Sequence, residues 1–186
     1  QNCLELTEIT LSKNITVIEQ FTFERCDNLK NIDIPNGVIA IERYAFARCP
    51  GLESVNIPNT VTSIGEGAFV HCKSLADVTI PNSVRELGGA AFASCIGLTK
   101  ISISEDITKI GEETFLNCRG LVNVIIPEKA TAIGNRAFAG CASLKSISIP
   151  KNVLTISQDC FVDCDNLTEV YYGGTEAQWK QISIAS

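Results

Sequence analysis

The 186-residue chain has little of what several common functions require. Nowhere do more than two lysines or arginines follow one another, and the formal net charge is -6. A phosphate-neutralising surface for nucleic acid or for an anionic membrane therefore has no support. No stretch approaches the roughly 20 apolar residues that span a bilayer, so direct membrane insertion is not expected. Gln1 begins without a charged n-region and an apolar h-region, which reads as the start of a mature or excised segment. The composition is nonetheless 45% hydrophobic, enough for one globular or elongated domain with a core.

What is present is self-similarity. Eight cysteines from Cys3 to Cys164 recur every 23 residues without insertion or deletion, and only Cys160 lies off that lattice. A leucine stands three residues after each, as in Leu75 and Leu98, and from Cys26 onward a phenylalanine stands three before, as in Phe69 and Phe92. Between them runs a template of Leu-x-x-Val/Ile-x-Ile-Pro, then Val-x-x-Ile-Gly, then Ala-Phe-x-x-Cys. A strict period of this length marks a stacked repeat architecture, because one short unit cannot bury its apolar side alone.

Inside one period, Val55 and Ile57 alternate with Ser54 and Asn56, the pattern of a strand with one buried face. Pro58 closes it, since proline cannot donate to a ladder. Val61 and Ile64 then suit a second, shorter extended piece, and Ala68, Phe69 and Cys72 are spaced to share one face of a single helical turn. The glycines at Gly65, Gly88, Gly111 and Gly134 recur by period and read as turn residues, not as a phosphate cradle. The expected fold is an α/β repeat: a right-handed solenoid of 23-residue coils, with a parallel concave sheet of about seven or eight strands rising roughly 4.8 Å per coil. Short helical turns and short strands would form its other faces.

Equivalent cysteines would then stand in a column one strand spacing apart, roughly 4.8 Å, whereas a disulfide wants Cβ atoms about 3.8 Å apart and a specific dihedral. A ladder of free thiols filling space as small hydrophobes is favoured over bridges or metal binding. Cys160, at the phase of Ala45, Ala68, Ala91 and Ala137, replaces one small core residue with another. Cys160 and Cys164 are four apart, but no second pair and no nearby histidine completes a tetrahedral metal site.

The template resembles the BspA-like leucine-rich repeat, the type first associated with treponemal and Bacteroides surface proteins, and the match covers nearly the whole chain. Pro and Phe-x-x-Cys stand where ordinary leucine-rich repeats carry an asparagine ladder. The tail "VYYGGTEAQWKQI" from Val170 is also similar to the ends of such arrays; it departs from the template after Tyr172, with Trp179 and Ile182 on one face of a helical segment. The resemblance implies one leucine-rich repeat domain over 1–186, with a partial coil and first period over 1–25, regular repeats over 26–169 and a divergent cap over 170–186. It also implies an extracellular or bacterial cell-surface adhesion module, binding a protein or glycoprotein and acting as a monomer. Alternatives are a substrate-targeting repeat domain of a larger secreted enzyme, or an intracellular scaffold, which unbridged cysteines would permit.

The outward strand phases hold small, mostly uncharged residues, which suits a broad hydrogen-bonded contact better than a deep pocket. One period breaks that rule with Val122 and Ile125. The candidate partner-binding patch is this apolar pair with Lys100, Ser102, Asn123, Ser146 and Ser148 around it, and Tyr171 two coils on would extend it or be covered by the cap. His71, the one histidine, occupies the phase of Arg25, Arg48, Ser94, Asn117, Gly140 and Asp163, and a position accepting all of these is expected to face solvent. Cys72 beside it points inward, so the two cannot form a nucleophile pair. No catalytic, cofactor-binding or metal-binding residue is assigned, and the protein is not expected to be an enzyme. "NIT" at Asn14 and "NLT" at Asn166 match the N-glycosylation pattern, which matters only in a eukaryotic source.

Overall fold

Strand pairing sets the architecture. In the computed structural model, which describes residues 2–185, every period from Cys26 onward supplies one longer and one shorter strand, and the first supplies only a short one. In chain order these are β1 (Val17–Ile18), β2 (Asn31–Asp33), β3 (Ala40–Ile41), β4 (Ser54–Asn56), β5 (Ser63–Ile64), β6 (Asp77–Thr79), β7 (Glu86–Leu87), β8 (Lys100–Ser102), β9 (Lys109–Ile110), β10 (Asn123–Ile125), β11 (Ala132–Ile133), β12 (Ser146–Ile149), β13 (Thr155–Ile156), β14 (Glu169–Tyr172) and β15 (Ser183–Ile184). All pairs are parallel, and up to β14 each partner lies one period away: Ile41 opposes Ile64, and Val124 opposes Ile147, which opposes Val170. The result is the expected parallel-strand solenoid of about seven coils, with even-numbered strands on one face and odd-numbered strands on another. The reading of Gln1 as the start of an excised segment lies outside the described residues.

The Ala-Phe-x-x-Cys segment differs from expectation. Among the described residues the one α-helix is α1 (Glu176–Trp179), and the Phe and Cys phases sit in consecutive tight turns instead of a helical turn. In the coil at 66–72, alternate N–H groups go in two directions. Gly67, Phe69 and His71 donate to Gly89, Ala91 and Ala93 of the next coil at 2.8–2.9 Å, while Ala68, Val70 and Cys72 donate to carbonyls three residues back. A helix would keep all of these bonds inside one coil. The outward bonds require a left-handed residue two before each Phe and one before each Cys, as at Ala90 (φ 54°) and Ser94 (φ 60°). Among the described residues thirteen non-glycine residues adopt positive φ, a conformation that costs about 1–2 kcal/mol each for L-residues and that the bonds on either side offset.

The glycine column also has another cause. None of Gly65, Gly88 or Gly134 has positive φ; a Cβ there would come within 2.4–2.7 Å of a backbone nitrogen of the preceding coil. At these three positions glycine is demanded because the backbones of adjacent coils approach closely there, whereas Glu19, Glu42 and Ser157 occupy the same phase in other coils. Gly67 combines both reasons, with φ +58° and a Cβ position 2.2 Å from the ring of Tyr44.

Seven phenylalanines from Phe23 to Phe161 stack face to face through the interior, with ring centroids 5.2–5.9 Å apart and planes within 18° of parallel. Beside them runs the cysteine column. Cys26 through Cys141 are fully buried, and each thiol from Cys49 to Cys164 donates to the carbonyl of the phenylalanine 26 residues earlier, at 3.0–3.2 Å. The cysteine is thus more than filler: each Phe carbonyl takes the backbone N–H of its own coil's Cys and the thiol of the next, as Phe69 does from Cys72 and Cys95. Burial pushes the Cys49 thiol up to about 12, and Cys72, Cys95 and Cys118 well above the ordinary range.

The coil at 100–121 is the irregular one. Ser104 stands at the proline phase and Thr114 at the alanine phase, and among the described residues these are the two fully buried polar residues of the core. Both are satisfied: Ser104 Oγ donates to the Val84 carbonyl at 2.7 Å, and Thr114 Oγ1 to that of Gly111 at 3.0 Å. The larger residue is felt in the stack. Phe92–Phe115 and Phe138–Phe161, whose second members follow Thr114 and Cys160, have the widest separations, 5.9 and 5.8 Å, against 5.2–5.3 Å elsewhere. No ladder joins β7 to β9 or β8 to β10 among the described residues.

After β14 the chain leaves the period. Thr175 caps α1 in a reciprocal capping box with Gln178, and Trp179 meets Tyr172 edge-on at 5.2 Å. Ile182 is buried, and β15 then pairs with β13.

Two stability outcomes follow from the packing. Phe92→Ala should cost about 3–5 kcal/mol by urea unfolding, as large aromatic truncations do. Cys95→Ala, which removes a weak donor and little volume, should cost only about 1 kcal/mol. Native protein at pH 8 should also react slowly with a thiol reagent at the buried cysteines and rapidly in denaturant. Separately, Thr114→Ala restores the residue used by most other coils and should raise stability by about 0.5–1 kcal/mol; a loss above about 1 kcal/mol would show that the Thr114 hydroxyl bond outweighs the strain on the stack.

Candidate functional site

Strand alternation turns every second side chain of the even-numbered strands outward, and the one-period register lines these up in rows across the coils. One row runs Asn31, Ser54, Asp77, Lys100, Asn123, Ser146, Glu169; the other runs Asp33, Asn56, Thr79, Ser102, Ile125, Ser148, Tyr171. Two pairs of neighbours in the first row are joined by side-chain hydrogen bonds. Ser54 Oγ donates to Asn31 Oδ1 and Ser146 Oγ to Asn123 Oδ1, both at 2.7 Å. Over β2, β4 and β6 the face carries an open hollow of about 390 Å³, lined by Asn31, Ser54, Asn56 and Asp77 among others.

In the C-terminal half, β10, β12 and β14 form one three-stranded sheet. Ile125 is 73% exposed, Tyr171 57% exposed, and the half-buried Ser148 lies between them in register. Tyr171 donates its hydroxyl to Glu169 Oε2 at 2.6 Å, and that bond together with the carboxylate charge holds the phenol above its ordinary value. The helical segment leaves Tyr171 uncovered. On the outward row the exposed large apolar side chains are therefore Ile125 and Tyr171, not Ile125 and Val122; Val170, also exposed, alternates to the side of buried Ile147. Val122 precedes β10, lies on the parity of buried Val124 and is itself half-buried. Ser146 is also half-buried, while Asn123, Lys100 and Ser102 are exposed; Lys100 and Ser102 belong to β8, which hydrogen-bonds to β6 and not to β10. Glu169 was not singled out from sequence, because only the register places it beside Ser146 and under the Tyr171 hydroxyl.

His71 does not simply face solvent. It is half-buried in a groove with Arg48 and Lys73, and burial followed by those two charges lowers its pKa. Cys72 beside it is fully buried with its thiol on the Phe46 carbonyl, so the two share no reactive face. Among the described residues no group of three His, Cys, Asp or Glu side chains could hold a metal, and no helix is long and apolar enough to cross a membrane.

The geometry agrees with what the comparisons find. A model of the BspA type leucine rich repeat region matches the chain in six copies, over residues 1–118 and 85–182. The leucine rich repeat protein of Treponema pallidum is 31% identical, with 83% of this chain and 72% of that one aligned at a TM-score of 0.78. A leucine rich cell surface protein of Faecalibacterium prausnitzii is 28% identical over 93% of this chain, with a TM-score of 0.60; the match spans 61% of that protein. A leucine-rich repeat protein of Eubacterium ventriosum, at 21% identity over 94% of this chain and 55% of that one, shares the fold with a TM-score of 0.79. A search of curated proteins finds no match.

Proposed function

The chain belongs to the BspA-type leucine-rich repeat family, and on that premise we propose that it is a non-catalytic protein-binding module of a secreted or surface-anchored bacterial protein, holding its partner on the long-strand face. The row Ile125, Ser148, Tyr171 carries this reading. It sets two large exposed apolar side chains about two strand spacings, roughly 10 Å, apart on an otherwise polar sheet. A small apolar centre ringed by hydrogen-bonding groups is where binding energy concentrates in protein interfaces. Asn123, Ser146 and Glu169 in the adjoining row supply that ring, and Lys100 and Ser102 border it through β8. The surface location is supported by the Faecalibacterium relative, which is described as a cell surface protein. The described chain is read as one solenoid, with the segment from Val170 covering its last coil through Trp179 and Ile182.

The test is Ile125→Asp against a panel of immobilised extracellular-matrix and mucosal proteins. The side chain is exposed, so the melting temperature should not move, while affinity for any bound protein should fall about tenfold or more. Wild-type binding by this variant, with binding lost in Arg48→Ser, would place the protein site on the turn face and overturn the assignment.

A further inference from the structure

The turn face carries a charge arrangement unlike the rest of the molecule. Elsewhere, three ion pairs join same-phase residues of adjacent coils: Arg43 with Glu66, Asp106 with Lys129, Glu113 with Arg136. The phase before the cysteine instead holds Arg25, Arg48 and His71 in three successive coils. Their backbones are fixed in register by coil-to-coil bonds, Arg25 N–H to the Ala47 carbonyl and Arg48 N–H to that of Val70. Two arginines and a histidine are thus held about 4.8 Å apart at the backbone, and burial together with the Arg48 and Lys73 charges lowers the His71 pKa. None of Arg25, Arg48, His71 or Lys73 forms an ion pair among the described residues.

These side chains line one open groove of about 320 Å³, with Lys73, Pro50 and Asp27 completing it. A chain of net charge -6 thereby presents a four-base groove with one carboxylate. We propose that this groove binds an anionic glycan, with sulfate or carboxylate groups on successive sugars received by Arg25, Arg48, His71 and Lys73. Arginine forks suit both groups, because sulfate and carboxylate each accept paired N–H bonds. Single-stranded nucleic acid fits less well: it needs a platform of aromatic faces for successive bases, and the groove holds no Phe, Tyr or Trp, only the His71 ring. Nearby Tyr44 stacks on Phe21 at 5.6 Å and rests against Gly67, so its faces are occupied. An extended acidic peptide repeats same-face side chains at about 6.6 Å, out of step with a coil rise of about 4.8 Å.

The folded protein would be titrated with fluorescein-labelled hexasaccharides, one sulfated, one of uronic acid and one neutral, beside single-stranded dT and a polyglutamate peptide. At least one acidic hexasaccharide should bind, the neutral one should not, and the two acidic probes distinguish sulfate from carboxylate recognition. Arg48→Ser and His71→Asn use residues that Ser94 and Asn117 already place at this phase with the same left-handed backbone, so the fold should hold, as thermal unfolding would check. Arg48→Ser should weaken glycan binding about tenfold and lower the slope of log affinity against log salt by about one. Lys109→Ser, on the short-strand face, should change nothing. No binding of either acidic hexasaccharide, unchanged affinity in Arg48→Ser, or tighter binding of dT or polyglutamate than of both glycans would overturn the proposal.

Discussion

Each coil hands backbone hydrogen bonds to the coil one period away, and that register governs the rest. It acts on all three faces: the even-numbered strands, the odd-numbered strands and the turn segment, where Phe69 N–H reaches Ala91 as Phe46 N–H reaches Ala68. Once the rise is set near a strand spacing of about 4.8 Å, every side chain must coexist with a copy of its own phase at that distance. Phenylalanine does so by stacking nearly parallel. Cysteine does so by sending its thiol to the carbonyl of the preceding phenylalanine phase, a bond that needs a polarisable donor small enough for a narrow column.

The same register exacts backbone conformations that isolated residues avoid. Left-handed φ at Ala90, Ser94 and Asn117 is tolerated because bonds to neighbouring coils hold these residues on both sides. Glycine is required at Gly65 and Gly88 because the preceding coil's nitrogen occupies the space of a Cβ. Where a larger residue enters a small-residue column, as Thr114 and Cys160 do, the stack widens instead of breaking.

Variation is confined to phases that point away from these columns, and there the register changes from constraint to opportunity. Any property repeated at one outward phase becomes a row. Ile125, Ser148 and Tyr171 make a row with apolar ends on the long-strand face, and Arg25, Arg48 and His71 make a basic row on the turn face. The two lie on different faces and in different halves of the chain, so two ligand chemistries need not compete for one surface.

The strict period was enough to determine the solenoid, its parallel pairing, the Phe and Cys columns and the burial of Cys160, because each depends only on what recurs at fixed spacing. Ile125 stood out as an apolar residue at a polar strand phase for the same reason. The turn segment was misread as helical because spacing of Ala68, Phe69 and Cys72 fits a helical face equally well; only the next coil's carbonyls show where the N–H groups go. Val122 was grouped with Ile125 although it precedes β10 and is half-buried, and Glu169 was passed over, since side-chain contacts across coils are not written in one period. The thiol-to-carbonyl bonds, the glycine clearances and the groove around His71 likewise involve atoms separated by roughly one period in sequence and brought within bonding distance only by stacking.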